Sequence, residues 1–335
     1  MRGWVRLRVL LVAAGVALTL GAGHAAALPA TQEAHPAVVA SRDRGLWVWD
    51  QADPVAVVAF ALTHRVGRLF LAIPVDVTST PELLRVQQTI VAAHAVGIKV
   101  DALGGDPGWV DNPDWVLTHW LTPALLVAGF DGVHVDVEPY GNPSWVTDQR
   151  GTTTRYLQLL AALAAGSAQG GRPLEADVPF WFNTVADGAG GQLDTAVLAR
   201  VSSVAIMAYR NTATGPDGSL ALAGPTLTAA RAVGKQAHIG QETRYLGAAP
   251  FEVKQTFFGQ TNTQLETQLG VIDSAERTDP AYLGVAVHDR SGWSAISPGP
   301  PMSTALTAQL LMLINRAVSN AAPSRTIPAW GTPDR

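Results

Sequence analysis

The chain has 335 residues, with 23 basic and 27 acidic side chains, no cysteine and ten tryptophans. Without cysteine there are no disulfides, so a hydrophobic core must carry the fold, and the length admits one large α/β domain or two small ones. Removing three leader arginines leaves 20 basic against 27 acidic residues, a net of −7, which argues against nucleic acid and anionic membrane surfaces as partners.

Residues 1–27 read as a secretory signal peptide. Arg2, Arg6 and Arg8 precede the apolar run VLLVAAGVALTLGAG, and the small-residue stretch HAAALPA supplies an A-x-A-like cleavage zone near Ala25 to Ala27. The run is short for a membrane span, which leaves an uncleaved anchor as the lesser alternative. The expectation is a secreted protein, extracellular or cell-wall associated, free of the membrane after cleavage. Residues 28–44 are polar and aperiodic and read as a flexible lead-in.

From Gly45 short β-rich runs alternate with longer helical patterns. The runs are 45–50, 66–74, 98–105, 132–140, 174–182, 201–210, 235–243 and 282–293. The helix candidates between and after them are 54–64, 81–96, 115–128, 152–169, 193–200, 225–233, 261–278 and 302–318. Pro54, Pro81 and Pro225 fall near predicted helix starts, and Gly97 and Gly129 follow predicted helix ends. Eight βα units predict an α/β fold, a single-domain (β/α)8 TIM barrel over 45–320. An open doubly wound sheet would show a Gly-rich turn after the first strand, and WVWDQADPVAV has none. Residues 321–335 form a Pro-rich tail.

Active sites of such barrels sit at the C-terminal strand ends. In FDGVHVDVEPYG, residues 130–141, His134, Asp136 and Glu138 alternate with Val133, Val135 and Val137. A strand therefore puts the ionisable residues on one face and the valines on the other. Clustered carboxylates raise one another's pKa, and a carboxylic acid still protonated near neutrality is what general acid catalysis needs. A satisfied structural network is the bland alternative, and a metal site lacks a His-rich companion motif. No metal or cofactor is expected. The same alternation brings Glu175, Asp177 and Trp181 to one face of strand 5 and Trp49 to the end of strand 1. Tyr209 and Arg210 end strand 6, Glu242 ends strand 7, and the eighth run continues through His288 to Trp293. Trp49, Trp181 and Trp293 are candidates for stacking on sugar faces. His64, His94 and His119 fall in helices and are expected to face solvent.

DGVHVDVE resembles the strand-4 signature D-G-x-D-x-D-x-E of family 18 glycoside hydrolases, the chitinases and their relatives. Asp131, Gly132, Asp136 and Glu138 match, and His134 replaces the middle aspartate. The resemblance implies Glu138 as the acid that protonates the glycosidic oxygen and Asp136 as the residue that orients a substrate acetamido nucleophile. MAYR at 207–210 is similar to the family's strand-6 M-x-Y-D, which implies Tyr209 as a donor to the acetamido oxygen, with Arg210 where an aspartate is expected. Trp293 is placed like the tryptophan that floors the sugar subsite. His134, Asp177, Trp181, Arg210, Trp293 and Trp49 are the expected substrate contacts. A second enzymatic reading pairs Glu138 with Glu242 as in retaining glycosidases, whose carboxylates stand about 5–5.5 Å apart. A silent carbohydrate-binding barrel is a third. In each case the expected partner is a polysaccharide or oligosaccharide, and the protein is expected to be a monomer.

Overall fold

The structure is a computed structural model that describes residues 43–296 and 303–320. The predicted leader, most of the lead-in and the tail lie outside the described residues. Eight parallel strands pair in sequence order and close on themselves, β8 against β1. They are β1 (Gly45–Val48), β2 (Arg68–Ala72), β3 (Lys99–Gly104), β4 (Gly132–Val135), β5 (Leu174–Pro179), β6 (Ser203–Met207), β7 (Gln236–Glu242) and β8 (Tyr282–His288). The expected (β/α)8 barrel is therefore present.

The helices, in order, are α1 (Pro54–Thr63), α2 (Glu82–His94), α3 (Pro113–Val116), α4 (Thr122–Leu126), α5 (Ser144–Thr147), α6 (Gln149–Gln169), α7 (Leu193–Leu198), α8 (Ser219–Ala232), α9 (Pro250–Val253), α10 (Asn262–Glu276), α11 (Arg290–Ile296) and α12 (Thr304–Asn320). Local chemistry sets their ends. The Asp53 carboxylate accepts from the N–H groups of Val55 and Ala56 ahead of α1, with Pro54 at the first helical position. Gly97 and Gly129 take positive φ after helical segments, as their positions predict.

Several boundaries differ from the sequence reading; β4 ends at Val135 and β5 at Pro179, so Asp136 and Glu138 lie beyond β4 and Trp181 falls in a 3-10 turn at Phe180–Thr184. Pro225 lies inside α8, which begins six residues earlier at Ser219. A proline removes one helical hydrogen bond, and burial of Ala223, Thr226, Leu227 and Ala230 holds the helix together across it. The expected helix at 115–128 is broken by a wider turn at Leu117–Leu121 between α3 and α4. The eighth run ends at His288, and α11 starts at Arg290.

Two apolar cores result. The larger lies between strands and helices and takes the outward strand residues, including Val133, Val135 and Val137 of the fourth run. The smaller sits inside the barrel, where Trp47, Phe70, Leu103, Ala205 and Ala286 pack together. The end of the expected lead-in belongs to the fold: Arg44 is buried, donates to the His64 carbonyl at 2.9 Å and pairs with Glu266 at 3.0 Å. His64 is consequently buried, contrary to its expected solvent-facing position. Among the described residues no helix is long and apolar enough to cross a membrane.

Candidate active site

Strand alternation places Gly132 and His134 in the barrel lumen, and Asp136 follows in the same register with its N–H donating to the Gly104 carbonyl at 3.0 Å. The β3 loop closes tightly on this point. A Cβ at Gly105 would lie 1.9 Å from the Asp136 carbonyl oxygen, so a side chain there would force the loop off. Gly132 likewise makes room for Asp101, whose Oδ1 would stand 2.7 Å from an added Cβ.

An ionic column fills the lumen from its N-terminal end. Arg68 bridges Asp43 at 2.8 Å and Asp101 at 2.6 Å. Above it His238 joins the Glu175 carboxylate through Nδ1 at 2.7 Å and the Asp43 carbonyl through Nε2 at 2.8 Å. His134 stands between Glu175 (Nδ1 to Oε2, 3.5 Å) and Asp177 (Nε2 to Oδ1, 3.0 Å), and Trp47 Nε1 donates to the other Asp177 oxygen at 3.0 Å. Burial alone would lower the His134 pKa, but Asp177 and Glu175 reverse this and push it up to about 10. The two carboxylates thus favour the imidazolium form of the ring, which stacks on Phe70 with centroids 3.8 Å apart. Burial would raise Glu175, yet His238 and His134 hold it well below the usual carboxylate range. Where the resembling family has an acid in strand 4, this chain has a cation there and puts the balancing acids in β5.

The C-terminal mouth holds a second ionisable cluster. Asp136 is partly buried, and its Oδ1 is buried without a hydrogen-bond partner. Burial, with the negative charges of Asp177 and Glu138 beside it, pushes its pKa well above the usual range and favours the protonated acid. Glu138 is also partly buried and accepts from the Tyr140 hydroxyl. Burial raises its pKa, the Tyr140 hydrogen bond opposes this, and Asp177 adds to the rise. Two neighbouring carboxyls with raised proton affinity are an arrangement suited to delivering a proton to a leaving oxygen. Tyr209 is partly buried beside the His288 ring, with centroids 6.3 Å apart. Trp181 packs edge-on against Tyr140 at 5.2 Å and forms, with Trp145, an aromatic wall next to Glu138. Trp49 is partly buried at the end of β1, and its Nε1 donates to His288 Nε2 at 3.0 Å.

Five expected site residues have other surroundings. Trp293 is fully buried in α11, where its Nε1 donates to Asn262 and its ring meets Phe60 and His64. It faces the helical layer because the chain leaves the strand at His288, so it offers no sugar floor. Arg210 is buried, bound to Asp217 at 2.8 Å and to the Tyr209 carbonyl at 2.7 Å, with its guanidinium over Phe180. It fixes a loop and is not a substrate contact. His134 and Asp177 are 0% and 2% exposed, so they act on the mouth through charge and position rather than by touching a ligand. Glu242 is 3% exposed, and both its oxygens are engaged: Oε1 by the N–H groups of Thr243 and Arg244, Oε2 by His288 Nδ1 at 2.9 Å. These three hydrogen bonds and the burial hold the carboxylate in place and make it a poorer candidate for attack on an anomeric carbon.

The sequence reading assigned no role to His288, Tyr140, Glu175 or His238. His288 was visible in the alternation of Gly284, Ala286 and His288 along β8; the partnership of Glu175 with His238 spans 63 residues and has no local signature. Among the described residues no group of three or more His, Asp or Glu side chains is arranged to hold a metal ion.

No protein-family model and no curated protein matches the chain. Among solved structures, the glycoside hydrolase domain of PgaB (BpsB) from Bordetella bronchiseptica superposes with a TM-score of 0.50 at 12% identity, covering 76% of this chain and 96% of that one. Catalytic domain 2 of the Ostrinia furnacalis Group II chitinase gives 0.49 at 12% identity, covering 85% and 98%. A GH18 chitinase from Cycas revoluta gives 0.45 at 12% identity, covering 82% and 99%. At such identities the PgaB comparison establishes a shared fold.

Proposed function

We propose that this chain is an exported glycoside hydrolase, divergent from family 18, that cleaves a polysaccharide or oligosaccharide with Glu138 as general acid/base and Asp136 as its helper. The observation that carries the reading is the placement of Asp136 and Glu138 together at the end of β4, with an unpartnered Asp136 oxygen, the Tyr140 hydroxyl on Glu138 and Trp181 packed on that tyrosine; burial favours the acid form of Glu138. The Glu138 proton passes to the glycosidic oxygen as the bond to the anomeric carbon breaks; a water then forms the new bond to that carbon, directly or after the substrate's own acetamido oxygen, and its proton returns to the Glu138 carboxylate. Asp136, with an unpartnered buried oxygen, presents a hydrogen-bonding group to the sugar, or to its acetamido group where one is present. Tyr209 lies beside the His288 ring, and Trp181 offers a face for stacking. The fold shared with the PgaB glycoside hydrolase domain supports this reading, and the basic, apolar, small-residue pattern of residues 1–27 supports export. Glu242 orients His288 and leaves direct double displacement between Glu138 and Glu242 the weaker mechanism.

The test is product release from a panel of chitin, partly deacetylated chitin, cellulose and peptidoglycan by the wild type and Glu138→Gln. Hydrolysis by the wild type that is lost in the variant is expected. Hydrolysis that survives in Glu138→Gln with its pH profile intact would overturn the assignment. Binding by both proteins without products would leave a silent carbohydrate-binding barrel.

A further inference from the structure

His288 is held by two groups that ask opposite things of it. Glu242, its neighbour in register across β7 and β8, takes a hydrogen bond from Nδ1 at 2.9 Å, and is itself pinned by two backbone N–H groups. On the other side Trp49 Nε1 stands 3.0 Å from Nε2. An indole N–H can only donate, so Nε2 must accept, and the ring carries a single proton, on Nδ1. Protonating Nε2 would set one N–H against another.

The surroundings otherwise favour a charged ring. Glu242 faces it from β7, Asp136 and Glu138 from beyond β4, and Tyr209 from beyond β6. Trp47 meets it edge-on from β1 at 5.8 Å, and Asp289, which follows it in the chain, is paired with Arg244 at 3.1 Å. Burial disfavours the imidazolium, but Glu242, Asp289 and Asp136 outweigh it and would set the pKa at about 9. Of the other acceptors of the mouth, Glu242 is committed to three donors and Asp177 to Trp47 and His134, while Asp136 Oδ1 has no partner.

We propose that His288 is a second proton-carrying residue of this site and that Trp49 gates it, capping Nε2 through its indole N–H and uncovering it when the indole turns to meet a sugar face. The proposal rests on the reading of the mouth as a sugar site. On uncapping, Nε2 takes one proton from solvent; no heavy-atom bond forms or breaks. The imidazolium then donates into the mouth opposite Glu138, while Glu242 keeps the ring in place.

The experiment is an NMR titration of the protein labelled in its histidine rings, with His288 assigned by its absence in His288→Gln. In the wild type at neutral pH the ring is expected as the neutral form protonated at Nδ1. Trp49→Phe keeps an aromatic ring but removes the donor, and the His288 midpoint is expected to rise by about one pH unit or more. A doubly protonated His288 in the wild type at neutral pH overturns the proposal, and so does an unchanged midpoint in Trp49→Phe. Should that variant fail to fold, the wild-type proton count decides alone. Neither readout needs turnover, so failure of the gate is distinguishable from failure of the glycosidase reading.

Discussion

Replacing His134 by Asn tests the ionic column beneath the mouth. The substitution keeps a polar group near the Nδ1 position but removes Nε2 and the cation between Glu175 and Asp177, leaving two buried carboxylates short of compensation. The rise of the His134 pKa from 6.5 to about 10, at about 1.4 kcal/mol per pH unit, corresponds to about 5 kcal/mol. Breaking one partner out of a buried ion pair costs about 3–5 kcal/mol by mutagenesis, so the two routes agree in size. The sign follows from linkage. A histidine whose folded pKa lies above its unfolded value contributes its full stability below about 6.5, and loses it as pH rises through about 10. Urea unfolding of wild type and His134→Asn across this range should show a gap of about 3–5 kcal/mol near pH 6 that narrows toward pH 10. A gap under about 1 kcal/mol near pH 6, within the range of an exposed pair, would refute the reasoning, as would one that widens with pH.

Glu138→Gln should lower turnover about 10²–10⁴-fold with little change in unfolding midpoint; equal turnover would remove Glu138 from the chemistry. Because the acid must be protonated to act, activity should fall as pH rises through the raised Glu138 pKa. Tyr140→Phe removes the hydrogen bond that favours the anion, so this alkaline limb should move to higher pH; movement to lower pH would contradict the assignment. Glu242→Gln should retain measurable turnover, whereas a loss as complete as that of Glu138→Gln would restore Glu242 as a nucleophile. Trp293→Ala should cost about 3–5 kcal/mol of stability without raising KM in the folded fraction; a raised KM at unchanged stability would return it to the sugar site.

The barrel was legible because its strands are short apolar runs set at regular intervals among helices, and because lumen and helix sides alternate residue by residue. That alternation placed Asp136 and Glu138 at the mouth. The alternation persisted just past the end of β4, where the Asp136 N–H still bonds to Gly104, but failed where the backbone turned into a helix or loop. Trp293 was counted as the continuation of β8, but the backbone turns into α11 after His288 and swings the indole into the helical layer. Arg210 was lost for a similar reason: beyond β6 its direction is set by Asp217, seven residues on, rather than by strand geometry. His134 pointed inward as expected, yet its role depends on Glu175 and Asp177, more than forty residues away, and no local pattern reports such a pairing. Pro225 was taken as a helix start because a proline is best tolerated there, but the buried face of α8 outweighs the lost hydrogen bond.

The central claim is that the barrel mouth keeps Glu138 protonated beyond the range of an ordinary glutamate. A ¹³C titration of its side-chain carboxyl, assigned by the resonance missing in Glu138→Gln, measures this directly. The account predicts a midpoint clearly above the ordinary value of 4.5, rising further in Tyr140→Phe. A midpoint at or below that value in the wild type would contradict it.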